Sequence, residues 1–167
     1  MSRIVVSPLS KLEAQIEQHQ PSHIMTLSSG EVPTLSCAAQ RLSLIFNDLV
    51  EPRDGLVMPD QAHVSQMLAF VRAWDRKRPL LIHCYAGVSR STASAYIVAI
   101  ALNPTLDETA LAQKLRQLSP SATPNIRLIA LADNILGRNG RMIDAINAIG
   151  RGEDAFEGDV FSLPVAN

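Results

Sequence analysis

The stretch Pro79-Leu80-Leu81-Ile82-His83-Cys84-Tyr85-Ala86-Gly87-Val88-Ser89-Arg90-Ser91-Thr92 decides the fold. Its opening apolar run suits a short buried strand. From Arg90 to Leu102 the chain is rich in small and apolar residues, free of proline and compatible with a helix. Between them lies a loop of five residues, Tyr85 to Ser89, with Cys84 at one end and Arg90 at the other. A strand that passes through such a loop into a helix places the loop at the mouth of an α/β sheet, where ligands of open sheets bind.

That spacing suits phosphate. Five residues can curl so that successive backbone N–H groups point inward as an anion-binding nest, with Gly87 supplying the unusual dihedral the curl needs. The helix starting near Arg90 adds unpaired first-turn N–H groups and the positive end of its dipole. Free cysteine ionises near pH ~8.5, and beside a helix N-terminus and cationic groups that value falls by roughly one to five units, so Cys84 is expected to attack as a thiolate. Arg90 offers a planar fork for two phosphoryl oxygens, a geometry that lysine does not reproduce. Ser91 is placed to hydrogen-bond the sulfur and ease its departure. His83 is expected to orient the loop through a backbone hydrogen bond. Taken singly, such a cysteine is an inert core residue and such an arginine a surface charge. Their occurrence in order with the strand, His83, Gly87, Ser91 and the helix reverses that reading.

His83-Cys84-(five residues)-Arg90-Ser91 resembles the signature of the cysteine-dependent protein tyrosine phosphatase superfamily, in its compact dual-specificity-like branch and bacterial tyrosine-phosphatase-like proteins. Ser119-Pro120-Ser121-Ala122-Thr123-Pro124-Asn125 is similar to the Pro-x-Ala-x-Pro-Asn segment before a late helix in that branch. The likeness covers roughly residues 40 to 137 and is most specific at the loop. It implies a phosphocysteine intermediate, loop residues Tyr85, Ala86, Gly87, Val88, Ser89 and Arg90 holding the phosphate, and phosphotyrosine as the first substrate, with phosphoserine or phosphothreonine next. The loop lacks the lysines expected for a phosphoinositide headgroup.

Loss of an alcohol or phenol needs a proton donor, which the resembled family takes from a loop upstream of the cysteine. Asp48, Glu51, Asp54 and Asp60 lie there. Asp48 is favoured, since it follows the apolar run Leu42 to Phe46 with only Asn47 between and would hang from a strand end on the edge that carries Cys84. Asp54, beside Gly55, is the alternative and also has the composition of an ordinary turn. Asp60 reads as a helix N-cap, because Val64, Met67, Leu68, Val71 and Trp74 follow at helical spacing. The Trp-Pro-Asp acid loop of tyrosine phosphatases is absent, a departure that points to the compact branch.

The rest of the chain bounds this reading. With 167 residues, 47% of them hydrophobic, the chain has material for one domain and a real core. A net charge of −1 gives no general attraction to nucleic acid or to anionic membrane. Two cysteines, one assigned as nucleophile, argue against a disulfide scaffold and for a reducing compartment. Cys37 is expected to be a small packed residue. No stretch spans a membrane, the first residues are too short an apolar run for a signal peptide, and a cytoplasmic protein is expected. Pro21 separates His19 from His23, so no metal site is expected, and no cofactor is required.

Periodicity and punctuation predict a strand from Met1 to Ser7, a helix over Pro8 to Gln18, strands at 23–27, 42–46 and 80–83, and a helix from Asp60 to Trp74. Helices follow at 90–102, 107–118, 125–136 and 142–149, with Asp107 and Asn125 as caps. The expected fold class is α/β: a short, largely parallel sheet, helices on both faces and a helical C-terminal half. Residues 1–150 are expected to form the single domain and 151–167 a tail that is either loosely ordered or docked on a neighbour. The function expected is hydrolysis of a phosphorylated protein or small phosphomonoester. The alternatives are a rhodanese-like sulfurtransferase or arsenate reductase, which also place cysteine in an anion loop, and an inactive phosphoprotein-binding module.

Overall fold

A computed structural model describes residues 2–166. Met1 of the expected first strand and Asn167 of the expected tail lie outside the described residues. In chain order the elements are β1 (Ser2–Pro8), a single 3-10 turn (Leu9–Lys11), α1 (Leu12–His19), β2 (His23–Ser28), β3 (Gln40–Ile45), α2 (Gln61–Arg72) and β4 (Leu80–Cys84). There follow α3 (Arg90–Leu102), α4 (Glu108–Leu118), α5 (Ile126–Leu136), α6 (Arg141–Ile149) and β5 (Phe161–Val165).

The strands form one sheet in the order β3-β2-β4-β1-β5, with every pair parallel except β1 with β5. Period-two alternation divides the buried side chains between two faces. Ile4, Val6, Leu80, Ile82 and Cys84 point into the large core beneath α2 to α6, while Val5, Ile24 and Leu81 meet Leu12 of α1 on the other face. Helices therefore cover both faces of the sheet. β4 is its central strand, so Cys84 emerges in the middle of the sheet's C-terminal edge.

Helix boundaries follow local chemistry. Asp60 caps α2 in a reciprocal box with His63, Asp107 caps α4 through the N–H of Ala110, and Asn125 caps α5 through that of Leu128. α3 is buried along its whole length from Arg90 to Ile100, which fixes the loop that leads into it.

Two expectations change. The segment read as a tail instead supplies β5, which pairs antiparallel with β1 from Phe161 to Val165 and closes one edge of the sheet. Cys37 is exposed and unbonded rather than packed, because the link from β2 to β3 runs over the surface. The basic turn at Arg76 to Arg78 sits at the opposite end of β4 from Cys84. There Arg78 donates to the Gln20 and Pro21 carbonyls, a structural duty away from the loop.

Candidate active site

Cys84 is buried at the end of β4, and its Sγ lies 3.1 Å from the hydroxyl oxygen of Ser91 on the first turn of α3. The Gly87 N–H donates to the same sulfur at 3.3 Å. Gly87 has φ +69°, and a β-carbon there would meet the Pro8 backbone nitrogen at 2.9 Å. Both the dihedral and the space require glycine.

The loop carbonyls are held from outside. Tyr85 O accepts from the Leu9 N–H at 3.0 Å and Ala86 O from the Gly158 N–H at 2.8 Å. Val88 O accepts from the Thr123 N–H at 2.9 Å and the Thr92 hydroxyl at 2.7 Å, and Ser89 O from the Asn125 N–H at 3.2 Å. A trans peptide sets its N–H opposite its C=O. Each anchored carbonyl thus turns the following N–H to the other side. A cavity of about 430 Å³ opens beside the loop, lined by Cys84, Tyr85, Arg90 and the turn after β2.

Arg90 is buried, and its Nη1 donates to the Ser29 hydroxyl at 2.8 Å and the Phe46 carbonyl at 3.0 Å. The ends of β2 and β3 thereby hold one edge of the guanidinium. Its Nε and Nη2 make no hydrogen bond among the described residues, so they are available to an anion.

His83 sits on the opposite face of β4. The Thr26 hydroxyl accepts from Arg41 Nε and Nη2 at 3.1 and 2.9 Å and lies 2.7 Å from His83 Nε2. With its acceptor sites facing Arg41, the hydroxyl gives its one proton to Nε2. Nδ1 then carries the ring proton and faces the Cys84 carbonyl at 3.4 Å. Burial pushes the His83 pKa down to about 4, with the Cys84 carbonyl contact opposing and the Arg41 charge adding to the fall. The ring is neutral at pH 7.

Asp48 lies at the neck of the loop between β3 and α2. Asn47 N–H donates to Val57 O at 2.7 Å, and Val57 N–H returns to the Asn47 side chain at 2.8 Å, so residues 48–56 form a closed excursion. Asp48 Oδ1 accepts from the Ser89 hydroxyl at 2.8 Å and from Asn125 Nδ2 at 2.7 Å. The Asp48 carboxylate is thus fastened to the rim of the Cys84–Arg90 loop, while Oδ2 accepts neither bond. Asp54 is exposed in the distal turn closed by Leu56 N–H on Arg53 O, and it lines neither the Cys84 cavity nor the groove of about 530 Å³ that borders Asp48. Glu51 is exposed on the same excursion and lines that groove, and Asp60 is occupied as a helix cap.

Four contributors escaped sequence reading. Ser29 holds Arg90, Thr26 sets the His83 tautomer, Asn125 grips the loop at Asp48 besides capping α5, and Gly158 anchors the Cys84–Arg90 loop. Only Asn125 carried a signal, its place in the Pro-Asn segment. The other three act across sequence separations that no local pattern marks.

No family model and no curated protein matches the chain. Solved structures do. DUSP15 superposes with TM-score 0.65 at 17% identity, over 90% of this chain and 94% of its own. Human DUSP28 does so with TM-score 0.63 at 16% identity, over 81% and 92%. PTPMT1 in complex with PI(5)P gives TM-score 0.61 at 11% identity, over 87% and 93%. The chain has the fold of the dual-specificity phosphatases.

Proposed function

We propose that the chain is a cysteine-dependent phosphomonoester hydrolase acting on phosphotyrosine first, with phosphoserine or phosphothreonine as further substrates. The observation that carries this reading is the convergence on Cys84 Sγ of the Gly87 N–H and the Ser91 hydroxyl, inside a loop whose carbonyls are tied outward. Ser89 supports it further. It occupies the N-cap of α3 yet gives its hydroxyl to Asp48, which leaves the first-turn N–H groups for an anion.

In the first step the Cys84 thiolate attacks phosphorus and the bond to the ester oxygen breaks, that oxygen taking a proton from the Asp48 carboxyl. The free edge of Arg90 and the loop N–H groups take up charge on the equatorial oxygens. Water then attacks the phosphocysteine and gives its proton to the Asp48 carboxylate. The S–P bond breaks as the Ser91 hydroxyl donates to the departing sulfur. The likeness to solved phosphatases supports a phosphomonoester substrate, and the lysine-free loop favours phosphoprotein over phosphoinositide.

The test is turnover of p-nitrophenyl phosphate and of a phosphopeptide and phosphoinositide panel by wild type, Cys84→Ser and Arg90→Lys. Vanadate-sensitive hydrolysis by wild type, lost in Cys84→Ser and strongly reduced in Arg90→Lys, is expected. Equal activity in wild type and Cys84→Ser, or transfer of sulfur to cyanide in place of phosphate release, refutes the reading. An inert wild type that captures phosphopeptides would make the chain a binding module.

A further inference from the structure

Beyond the loop, residues 150–160 form a strap that nothing in the reaction above uses. It leaves α6, crosses behind the phosphate loop and enters β5 at the far edge of the sheet. Its course is fixed at both ends. Near α6, Gly152 N–H donates to the Thr123 hydroxyl at 3.1 Å and Glu153 N–H to Pro120 O at 2.9 Å, and a β-carbon on Gly152 would collide with the Ser121 carbonyl. Near β5, Glu157 accepts from the Ser10 hydroxyl at 2.6 Å and faces Lys11 Nζ at 3.8 Å.

Gly158 follows Glu157 directly. Its N–H reaches Ala86 O at 2.8 Å, and a β-carbon on it would lie 2.5 Å from Gly87 O. The carbonyl it holds and the N–H that meets Cys84 Sγ belong to one peptide unit, between Ala86 and Gly87. Because that unit is planar and trans, pulling its C=O toward the strap aims its N–H at the sulfur, 3.3 Å away. The two hydrogen bonds run in series through the peptide, and each polarises the other.

We propose that Gly158 is a positioning residue for Cys84: the strap holds the Ala86–Gly87 peptide so that its N–H bonds the nucleophilic sulfur. The turn after β1 braces the same loop as well, through Leu9 N–H on Tyr85 O and the Pro8 backbone against Gly87. Glu157, bonded to Ser10, ties the two braces together. This inference rests on the proposed role of Cys84, so its test needs a readout that does not depend on turnover.

Two variants serve. Gly158→Ala adds a methyl where Gly87 O stands, and an amide-to-ester replacement of the Gly158 nitrogen, made by semisynthesis, deletes the donor without adding bulk. For each, three quantities are measured: the pH profile of iodoacetamide alkylation at the Cys84 peptide, kcat/KM on p-nitrophenyl phosphate, and the thermal midpoint. The alkylation profile is expected to move toward higher pH in both variants, with kcat/KM falling about tenfold, the lower end for weakening the Gly87 N–H bond to a charged sulfur. The ester decides where Gly158→Ala does not fold. A folded variant with the wild-type alkylation profile overturns the proposal, even where its thermal midpoint has dropped, since the strap would then be structural only. A wild type that hydrolyses no phosphomonoester defeats the functional reading and leaves the alkylation arm to judge the strap alone.

Discussion

At the residue scale, position along the acid loop separates two aspartates that composition cannot. Asp48 is held on the rim by Ser89 and Asn125, whereas Asp54 sits at the distal turn, so the proposed proton donor and its alternative make opposite predictions. Asp48→Ala is expected to lower turnover of an alkyl or tyrosyl phosphate by roughly 10² to 10⁴, with a smaller loss on an ester whose leaving group needs no proton. Asp54→Ala is expected to stay within about twofold of wild type. Parallel steady-state kinetics on both ester types checks this, and the reverse ranking would move the role to Asp54. His83 gives a second prediction. Its folded pKa near 4 lies below the 6.5 of an unperturbed histidine, so the unfolded chain binds the extra proton between those values. Stability from keeping the ring neutral is complete above pH 6.5 and declines as pH falls toward 4, by about 2 kcal/mol at pH 5. Urea midpoints at pH 7 and pH 5 should show a smaller drop for His83→Asn than for wild type.

At the element scale, α5 joins stability to chemistry through one residue. Asn125 Oδ1 accepts the Leu128 N–H and caps the helix, while Nδ2 donates to Asp48 Oδ1 and to Leu49 O. Asn125→Asp keeps a cap acceptor and loses the donor, placing a second carboxylate against Asp48. Its thermal midpoint should stay within a few degrees of wild type while kcat falls at least tenfold. Asn125→Ala should lose both properties, at about 1 kcal/mol for the cap. The caps also explain why the helices were legible. Asp60, Asp107 and Asn125 each precede an apolar repeat, and the expected and observed spans of α3 coincide at Arg90–Leu102. β3 was legible only in part, with its first two residues, Gln40 and Arg41, missed, because a polar edge strand half-exposed to solvent carries no apolar alternation. The strand–loop–helix from Leu80 to Leu102 could be read because its parts are contiguous. Its supports could not, since Thr26 and Ser29 reach it from β2 and the turn after it, and Gly158 from the strap before β5.

At the scale of the whole molecule, β5 is where sequence and structure part furthest. The segment carries Pro164 and follows a run of glycines and acids, features that read as an untethered end. Its partner β1 supplies what the local sequence lacks. Pairing with β1 places Phe161, Leu163 and Val165 in the main core, exposed by 6%, 1% and 3%, while Pro164 falls at an edge strand where no donor is needed on its outer side. Burying three such side chains is worth roughly 1.5–3 kcal/mol each, a sum comparable with the about 5–15 kcal/mol that holds a typical domain together. A chain ending at Gly150 is therefore expected to be largely unfolded at 37 °C, and to lack the strap that holds Ala86. Circular dichroism melting of that truncation beside the full chain checks the claim. The pair Phe161→Ala and Leu163→Ala provides the graded version, in which each substitution should cost about 2–5 kcal/mol. A truncated chain that melts like the full one would show that the core closes without its fifth strand.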